Sequence, residues 1–267
     1  MGLARKSSPF AVRKRPPRRR GPLLLRLGLG LLTAALLAAA GWWLLTAELF
    51  AVTRVETGAY RFTGEAQLEQ ALHGLLGRNI WRVRQEDAAA VLARLPWIDQ
   101  LRLARRLPGT LSLEFTEWRP LLAVEPADPR RNDPELLVLV GDGRVLAFPA
   151  QLPAPGLPVL VGVKAPRDSL GTRRLAAAQL PQVLELLEAI ESTGLETAVP
   201  VDFLVARAEG FAIVLQDGRG LLLVGREEFA DRLQRYMVGR EHLEPGLEVD
   251  LRFRDKITVR RPDEPRT

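Results

Sequence analysis

The chain has 267 residues, 38 Lys and Arg against 32 Asp and Glu, two histidines and no cysteine, for a formal charge of +6 at pH 7. Nine of the basic residues and no acid lie in residues 1–26, so 29 basic residues face 32 acids in the remainder, a net of −3. That excludes disulfides and thiol chemistry, and it leaves no basic face beyond the arm to neutralise nucleic-acid phosphates.

The arm carries Arg5, Lys6, Arg13, Lys14, Arg15, Arg18, Arg19, Arg20 and Arg26. Uncharged residues then run unbroken from Leu27 to Ala47. At about 1.5 Å per residue such a helix matches a bilayer core of about 30 Å. Leu27, Leu31 and Leu36 are its lipid-facing candidates, and the Trp42–Trp43 pair suits an interfacial anchor. Ala38–Ala40 also reads as a leader cleavage site, but the apolar run continues past it, which a leader's short core does not do. A retained anchor is therefore expected, with Arg26 snorkelling at the inner edge. The basic arm holds the N-terminus in the cytoplasm and everything beyond Glu48 outside it, a single-pass type II arrangement in the cytoplasmic (inner) membrane. Ala34/Ala38 and Ala35/Ala39 offer small-residue spacings for helix packing, or simply filler.

Past the anchor, Phe50–Gly58 reads as a strand. A helix follows, with Leu68, Leu72, Leu75 and Leu76 on one stripe, Thr63 as its expected N-cap and Gly77 as its stop. A second helix carries Ala88, Val91, Leu92 and Leu95 and ends at Pro96. Ile98–Arg105 is the next strand, and Pro108–Gly109 turns the chain. In Thr110–Glu117, Leu111, Leu113 and Phe115 alternate with Ser112, Glu114 and Thr116, predicting one buried and one wet face. The order is β-α-α-β-β, three strands covered on one side by two helices.

The Pro- and charge-rich stretch Glu125–Glu135 separates a second unit. Its expected elements are a hairpin, Leu136–Val140 and Val145–Phe148, around Asp142–Gly143, then a proline-rich connection Pro149–Pro158 and a helix over Ala176–Ser192 stopped by Gly194. Strands Val199–Ala206, Phe211–Leu215 and Leu221–Val224 follow. A helix carries Phe229, Leu233, Tyr236 and Met237, and the last strands are Leu247–Phe253 and Lys256–Arg260. Pro262 and Pro265 mark a tail.

Groups suited to catalysis do not converge. His73 and His242 are far apart, and neither has a second histidine at metal-ligand spacing. Gly141–Asp142–Gly143 and Gly218–Arg219–Gly220 read as hairpin turns. Glu86–Asp87 and Glu227–Glu228 fall at helix starts, where negative charge complements the dipole. No enzyme activity, cofactor, metal or small-molecule substrate is expected.

A basic arm and single anchor precede a β-α-α-β-β unit containing Leu95-Pro96-Trp97-Ile98, Arg105-Arg106-Leu107-Pro108-Gly109-Thr110-Leu111 and Glu117-Trp118-Arg119-Pro120. The sequence later carries Val249-Asp250-Leu251-Arg252-Phe253. In this order the motifs resemble FtsQ/DivIB, the bitopic bacterial cell-division proteins. The resemblance implies an α+β chain: a basic cytoplasmic arm (1–26), a transmembrane helix (27–47), a POTRA domain (50–119), a mixed β-domain with flanking helices (120–261) and a tail (262–267). It also implies a non-enzymatic divisome scaffold that links early and late division proteins in septum formation. The family's β-domain receives the FtsB–FtsL pair near its C-terminal strand. Carried over, Phe253, Ile257 and Val259 would supply apolar contacts, and Arg252, Arg254 and Lys256 would meet acidic partner residues.

Strand addition to an open sheet edge is the expected mechanism. Alternation places Ile257 and Val259 on one face, and Ile257→Glu is expected to weaken capture without unfolding the domain. Ile98–Arg105 would be a second edge, for localisation or another divisome partner. Trp97 is expected to fill a corner of the first unit's own core. The alternatives are a POTRA-containing docking protein of an outer-membrane assembly or secretion system, and an anchored cell-wall enzyme, for which a catalytic cluster would be needed.

Overall fold

The computed structural model describes residues 21–125, 135–169, 171–218 and 220–261. Most of the basic arm (Arg5 to Arg20), nearly all of the Glu125–Glu135 connection, Arg219 and the tail with Pro262 and Pro265 lie outside them. Helix α1 (Gly21–Thr46) begins six residues before the expected Leu27. Gly21 and Pro22 occupy its first turn, where proline costs little because its missing N–H would be unbonded anyway. Leu25–Thr46 is apolar enough to cross a membrane. Leu27, Leu31, Leu36, Trp42 and Trp43 are all more than half exposed, as lipid-facing side chains must be.

The first unit comprises β1 (Arg54–Thr57), α2 (Glu65–Leu72), α3 (Gln85–Leu92), β2 (Ile98–Arg106) and β3 (Thr110–Glu117). The sheet order is β1-β3-β2, with β1 parallel and β2 antiparallel to the central strand. Leu68, Leu75, Ile80, Val83, Leu92, Leu111 and Leu113 fill its core. The N-cap of α2 is Gly64 and not Thr63. The Thr63 hydroxyl instead donates to Glu117 Oε1 at 2.6 Å, while the backbone N–H groups of residues 61, 62 and 63 converge on the same carboxylate. Strand β1 is shorter than expected because residues 48–50 form a 3₁₀ turn, and Ala51 bridges to Asn79. Ser112 is buried, so the outer face of β3 is not uniformly wet.

The second unit has strands β4 (Pro120–Val124), β5 (Leu137–Val140), β6 (Arg144–Ala147), β7 (Val159–Val161) and β8 (Arg173–Arg174). Helices α4 (Leu180–Thr193) and α5 (Leu195–Ala198) follow, the first closed by Gly194 in the left-handed conformation. Then come β9 (Val201–Arg207), β10 (Gly210–Leu215), β11 (Gly220–Gly225), α6 (Phe229–Gly239), β12 (Leu247–Asp250) and β13 (Thr258–Arg260). All ten strands join one sheet, in the order β13-β12-β11-β10-β9-β7-β4-β5-β6-β8. Strands β4 and β7 link the N-terminal hairpin to the C-terminal half through parallel pairs. Helices α4 and α6 pack on one face, where Leu186, Leu204, Ile213, Leu222, Phe229 and Leu233 are fully or almost fully buried.

A third apolar cluster joins the two units. Trp97 is 5% exposed and packs with Val138, Val140, Leu146 and Phe148 of the second sheet. Its ring stacks on Phe62 at 4.7 Å and meets Phe148 edge-on at 6.3 Å. Trp97 therefore seals a joint between units; it does not fill a corner of its own core. Helix α3 stops at Leu92; Leu95 stays in the first unit's core, and Pro96–Trp97 carries the chain to the neighbouring sheet. The Glu117 carboxylate holds the loop that presents Phe62, and Trp118 N–H donates to Trp97 C=O at 2.8 Å.

Candidate docking edge

Strand β13 terminates the larger sheet. It pairs antiparallel with β12 through Glu248↔Arg260, Val249↔Val259 and Asp250↔Thr258, and among the described residues no strand pairs with its outer side. The strand forms because Val259 covers Val249 across the ladder and Arg260 makes two 2.9 Å contacts with the Glu248 carboxylate. Aligned cross-strand pairs of this kind are the unit of sheet stabilisation.

The expected strands are truncated at this point. Residues 251–257 form a loop, so Arg252, Phe253, Arg254 and Lys256 do not lie on a ladder. Three arginine contacts and one carboxylate explain the shape. Arg235 on α6 reaches under the loop and donates to the carbonyls of Leu251 at 3.1 Å, Phe253 at 2.6 Å and Arg254 at 2.5 Å. A planar guanidinium fork fixes these carbonyls in one geometry through two separate nitrogens, whereas a lysine ammonium would have to gather them at a single point. Those carbonyls are turned towards the helix, so they are not available to a neighbouring strand. Leu251 plugs the core and is fully buried. Asp250 accepts from the backbone of Arg252 at 3.0 Å and from its guanidinium at 2.9 and 2.6 Å. Burial pushes the Asp250 carboxyl upward, but the Arg252 hydrogen bonds and charge outweigh it and hold the group below its ordinary value. The same pairing raises the Arg252 guanidinium.

Behind the loop, Glu228 precedes α6 with a positive φ of 56° and bridges Arg232 at 3.2 Å and Arg254 at 3.0 Å. Arg232 is 6% exposed and donates to Val224 C=O at 2.7 Å. Gly225, at φ +78°, leaves room for it: a Cβ there would lie 2.5 Å from the Arg232 guanidinium. The buried guanidinium is compensated at two of its nitrogens, Nη1 by a carbonyl and Nη2 by a carboxylate, while its Nε meets no partner among the described residues.

The expected contact residues thus divide. Phe253 is 47% exposed, with the Lys256 ammonium 4.9 Å from its ring centroid, and Val259 is 38% exposed on the edge strand. Arg252 and Arg254 are engaged with Asp250 and Glu228, though both remain at the surface. Ile257 lies before β13 and packs partly buried against the domain core, beside Gly239. Ile257→Glu would therefore damage packing, contrary to the expectation that the fold would be left intact. On the sheet face away from α4 and α6, a groove of about 500 Å³ runs from the β9–β10 turn to the edge. Glu209, Glu248 and Asp250 line it together with Arg207, Arg252 and Arg260. Such mixed charge suits a partner segment carrying both signs. Sequence reasoning missed Arg235 and Arg232 and read Glu228 only as a helix-start acid, because Arg235 and Glu228 reach residues 16 to 26 positions away and Arg232 turns its charge inward to the Val224 carbonyl.

Comparisons with known proteins agree with this architecture. Residues 50–118 match the family "POTRA domain, FtsQ-type". The chain is 24% identical to the cell division protein FtsQ of Koribacter versatilis over 280 aligned positions, covering 96% of this chain and 78% of that protein. It is 27% identical to FtsQ of Neisseria meningitidis, covering 85% and 89%, and 26% identical to FtsQ of Myxococcus fulvus, covering 90% and 82%. With one N-terminal helix long and apolar enough to cross a membrane, an FtsQ-type POTRA match over residues 50–118 and FtsQ relatives along most of its length, the chain is similar throughout to the FtsQ cell-division proteins, and that likeness supports a scaffold role in division.

Proposed function

We propose that the protein is a tethered docking platform of the divisome, held in the cytoplasmic membrane with its N-terminus inside and both folded units, a POTRA domain over residues 50–119 and a β-domain over 120–261, outside. Its C-terminal sheet edge captures the FtsB–FtsL pair and links early to late division proteins. The observation that carries this reading is the open outer side of β13 beside a loop whose shape is preset by Arg235. A partner strand adding to β13 gains main-chain hydrogen bonds, while alternate side chains meet Val259 and the groove. Phe253 and Lys256 stand at the entrance to that edge, and the Arg252 and Arg254 guanidinium groups offer charge to acidic partner residues. Preorganisation helps, because the loop's ordering cost is met in the free protein.

The test is capture of a purified FtsB–FtsL pair by the full chain. Val259→Glu places a charge on the exposed edge, and should weaken capture by about tenfold or more, about 1.4 kcal/mol, with a smaller fall in melting temperature than Ile257→Glu. Wild-type capture by that variant would refute the proposed edge. Ile257→Glu serves as a comparison that lowers stability as well.

A further inference from the structure

We propose that the first folded unit rests directly on the outer leaflet of the membrane, bedding the loop between α2 and α3 into the layer of phospholipid headgroups. The contact with the anchor helix sets the height. Asn79 Nδ2 donates to Leu44 C=O at 3.0 Å, satisfying one of the carbonyls left open in the last turn of α1. Twenty-two residues from Leu25 to Thr46 span about 33 Å at 1.5 Å each, so with Arg26 at the inner boundary Leu44 reaches the outer edge of the hydrocarbon. A side chain bonded to Leu44 must then stand at headgroup level. Two aromatic contacts fix the same seat: Trp43 meets Phe50 at 6.0 Å, and Phe50 meets Trp81 at 6.1 Å. Ile80 N–H also donates to Phe50 C=O at 2.7 Å, tying the loop to the chain that leaves the helix.

The exposed residues at this level have interfacial chemistry. Leu49 is 62%, Trp81 41% and Leu76 40% exposed, large apolar side chains left partly open at one level of the unit. Arg78 and Arg82 flank them, both exposed, and the sequence from Gln70 to Gln85 contains no acid. Glu48 is the one carboxylate between Leu27 and Val55. Apolar and indole groups flanked by guanidinium groups match the boundary where acyl chains meet phosphates. The occupant is therefore the phospholipid surface around the anchor, with Arg78 and Arg82 on phosphates and Leu76 and Trp81 below them. The consequence goes beyond partner capture: the first unit cannot swing freely on its tether, and the Trp97 joint passes that constraint on to the docking edge.

The cysteine-free chain allows a direct measurement. Leu76→Cys carrying a nitroxide, which keeps the site apolar, is introduced into the full chain in nanodiscs of phosphatidylethanolamine and phosphatidylglycerol. Val238→Cys, on an exposed position of α6, is the reference. The label at 76 should be protected from a water-soluble nickel relaxant and accessible to oxygen, and the label at 238 the reverse. Adding Arg78→Glu with Arg82→Glu should abolish the protection at 76. Equal nickel accessibility at 76 and 238 would overturn the proposal, and protection unaffected by charge reversal would overturn its electrostatic part. Neither result bears on capture of FtsB–FtsL, which is read separately.

Discussion

Arg235→Ala tests whether a preset loop, and not the bare strand edge, makes the docking surface. The substitution removes three contacts from one guanidinium to the Leu251, Phe253 and Arg254 carbonyls. Charge-assisted bonds contribute about 1.5–3 kcal/mol each where water is excluded, but this loop is exposed and the freed carbonyls regain water. Global stability should therefore fall by only about 1 kcal/mol. The loop itself has more to lose. Fixing one residue's backbone costs about 1–2 kcal/mol, so if two residues loosen, a partner must supply about 2 kcal/mol more, close to a thirtyfold loss of affinity. Hydrogen exchange of residues 252–256 and titration with FtsB–FtsL read the two halves. Faster exchange with unaltered affinity would refute the role of preorganisation; unaltered exchange would refute the pinning itself. Arg235→Lys keeps the charge but not the fork and should recover part of the effect.

Two further outcomes follow from the packing and the electrostatics. Trp97→Ala empties the joint between the units, at a cost of about 3–5 kcal/mol for a buried tryptophan, and calorimetry of the detergent-solubilised protein should show two transitions in place of one; a single unshifted transition would mean the joint carries no load. Asp250 has a folded-state pKa below its ordinary value of 3.8, so it binds its proton less readily folded than unfolded. Its contribution is complete at neutral pH and is lost as the pH falls below about 4 through the depressed folded value. The stability difference between wild type and Asp250→Asn should shrink across that window, and a constant difference from pH 6 to pH 2 would contradict the assignment.

The long apolar helix and the first unit were legible in the sequence because their determinants are local. Twenty-one uncharged residues reach across a bilayer whatever follows them. Leu68 with Leu72, or Leu111 with Leu113, declare a helix stripe and a strand face by spacing alone, and Thr110–Glu117 is the observed β3 to the residue. The helix, however, stops at Leu72, Leu75 is buried from a 3₁₀ turn and Leu76, expected on the same stripe, is exposed. Errors gathered where the partner of a group lies far away. Thr63 reads as an N-cap until Glu117, 54 residues on, claims its hydroxyl and the surrounding amides. Pro120–Val124 and Val159–Val161 are short and flanked by prolines, so they carry no strong period, and they become strands because the first is held between β5 and β7 and the second between β4 and β9.

The same division runs through the docking edge. The alternation in residues 247–260 signalled strands near the C-terminal end of the sequence, and apolar and basic residues beside them. Charge and hydropathy patterns are properties of the chain and survive without a fold. That β13 lies last in a ten-stranded sheet is a property of strand order, which no stretch of sequence encodes by itself. The loop between β12 and β13 was equally hidden, since it exists because Arg235 on a preceding helix turns three carbonyls inward. Sequence alone determined that this protein carries a stretch long and apolar enough to cross a membrane and folds into α+β units beyond it. Tertiary structure decided which edge stays open, which side chains guard it and how the two units lock, because those depend on backbone groups meeting partners across long stretches of chain.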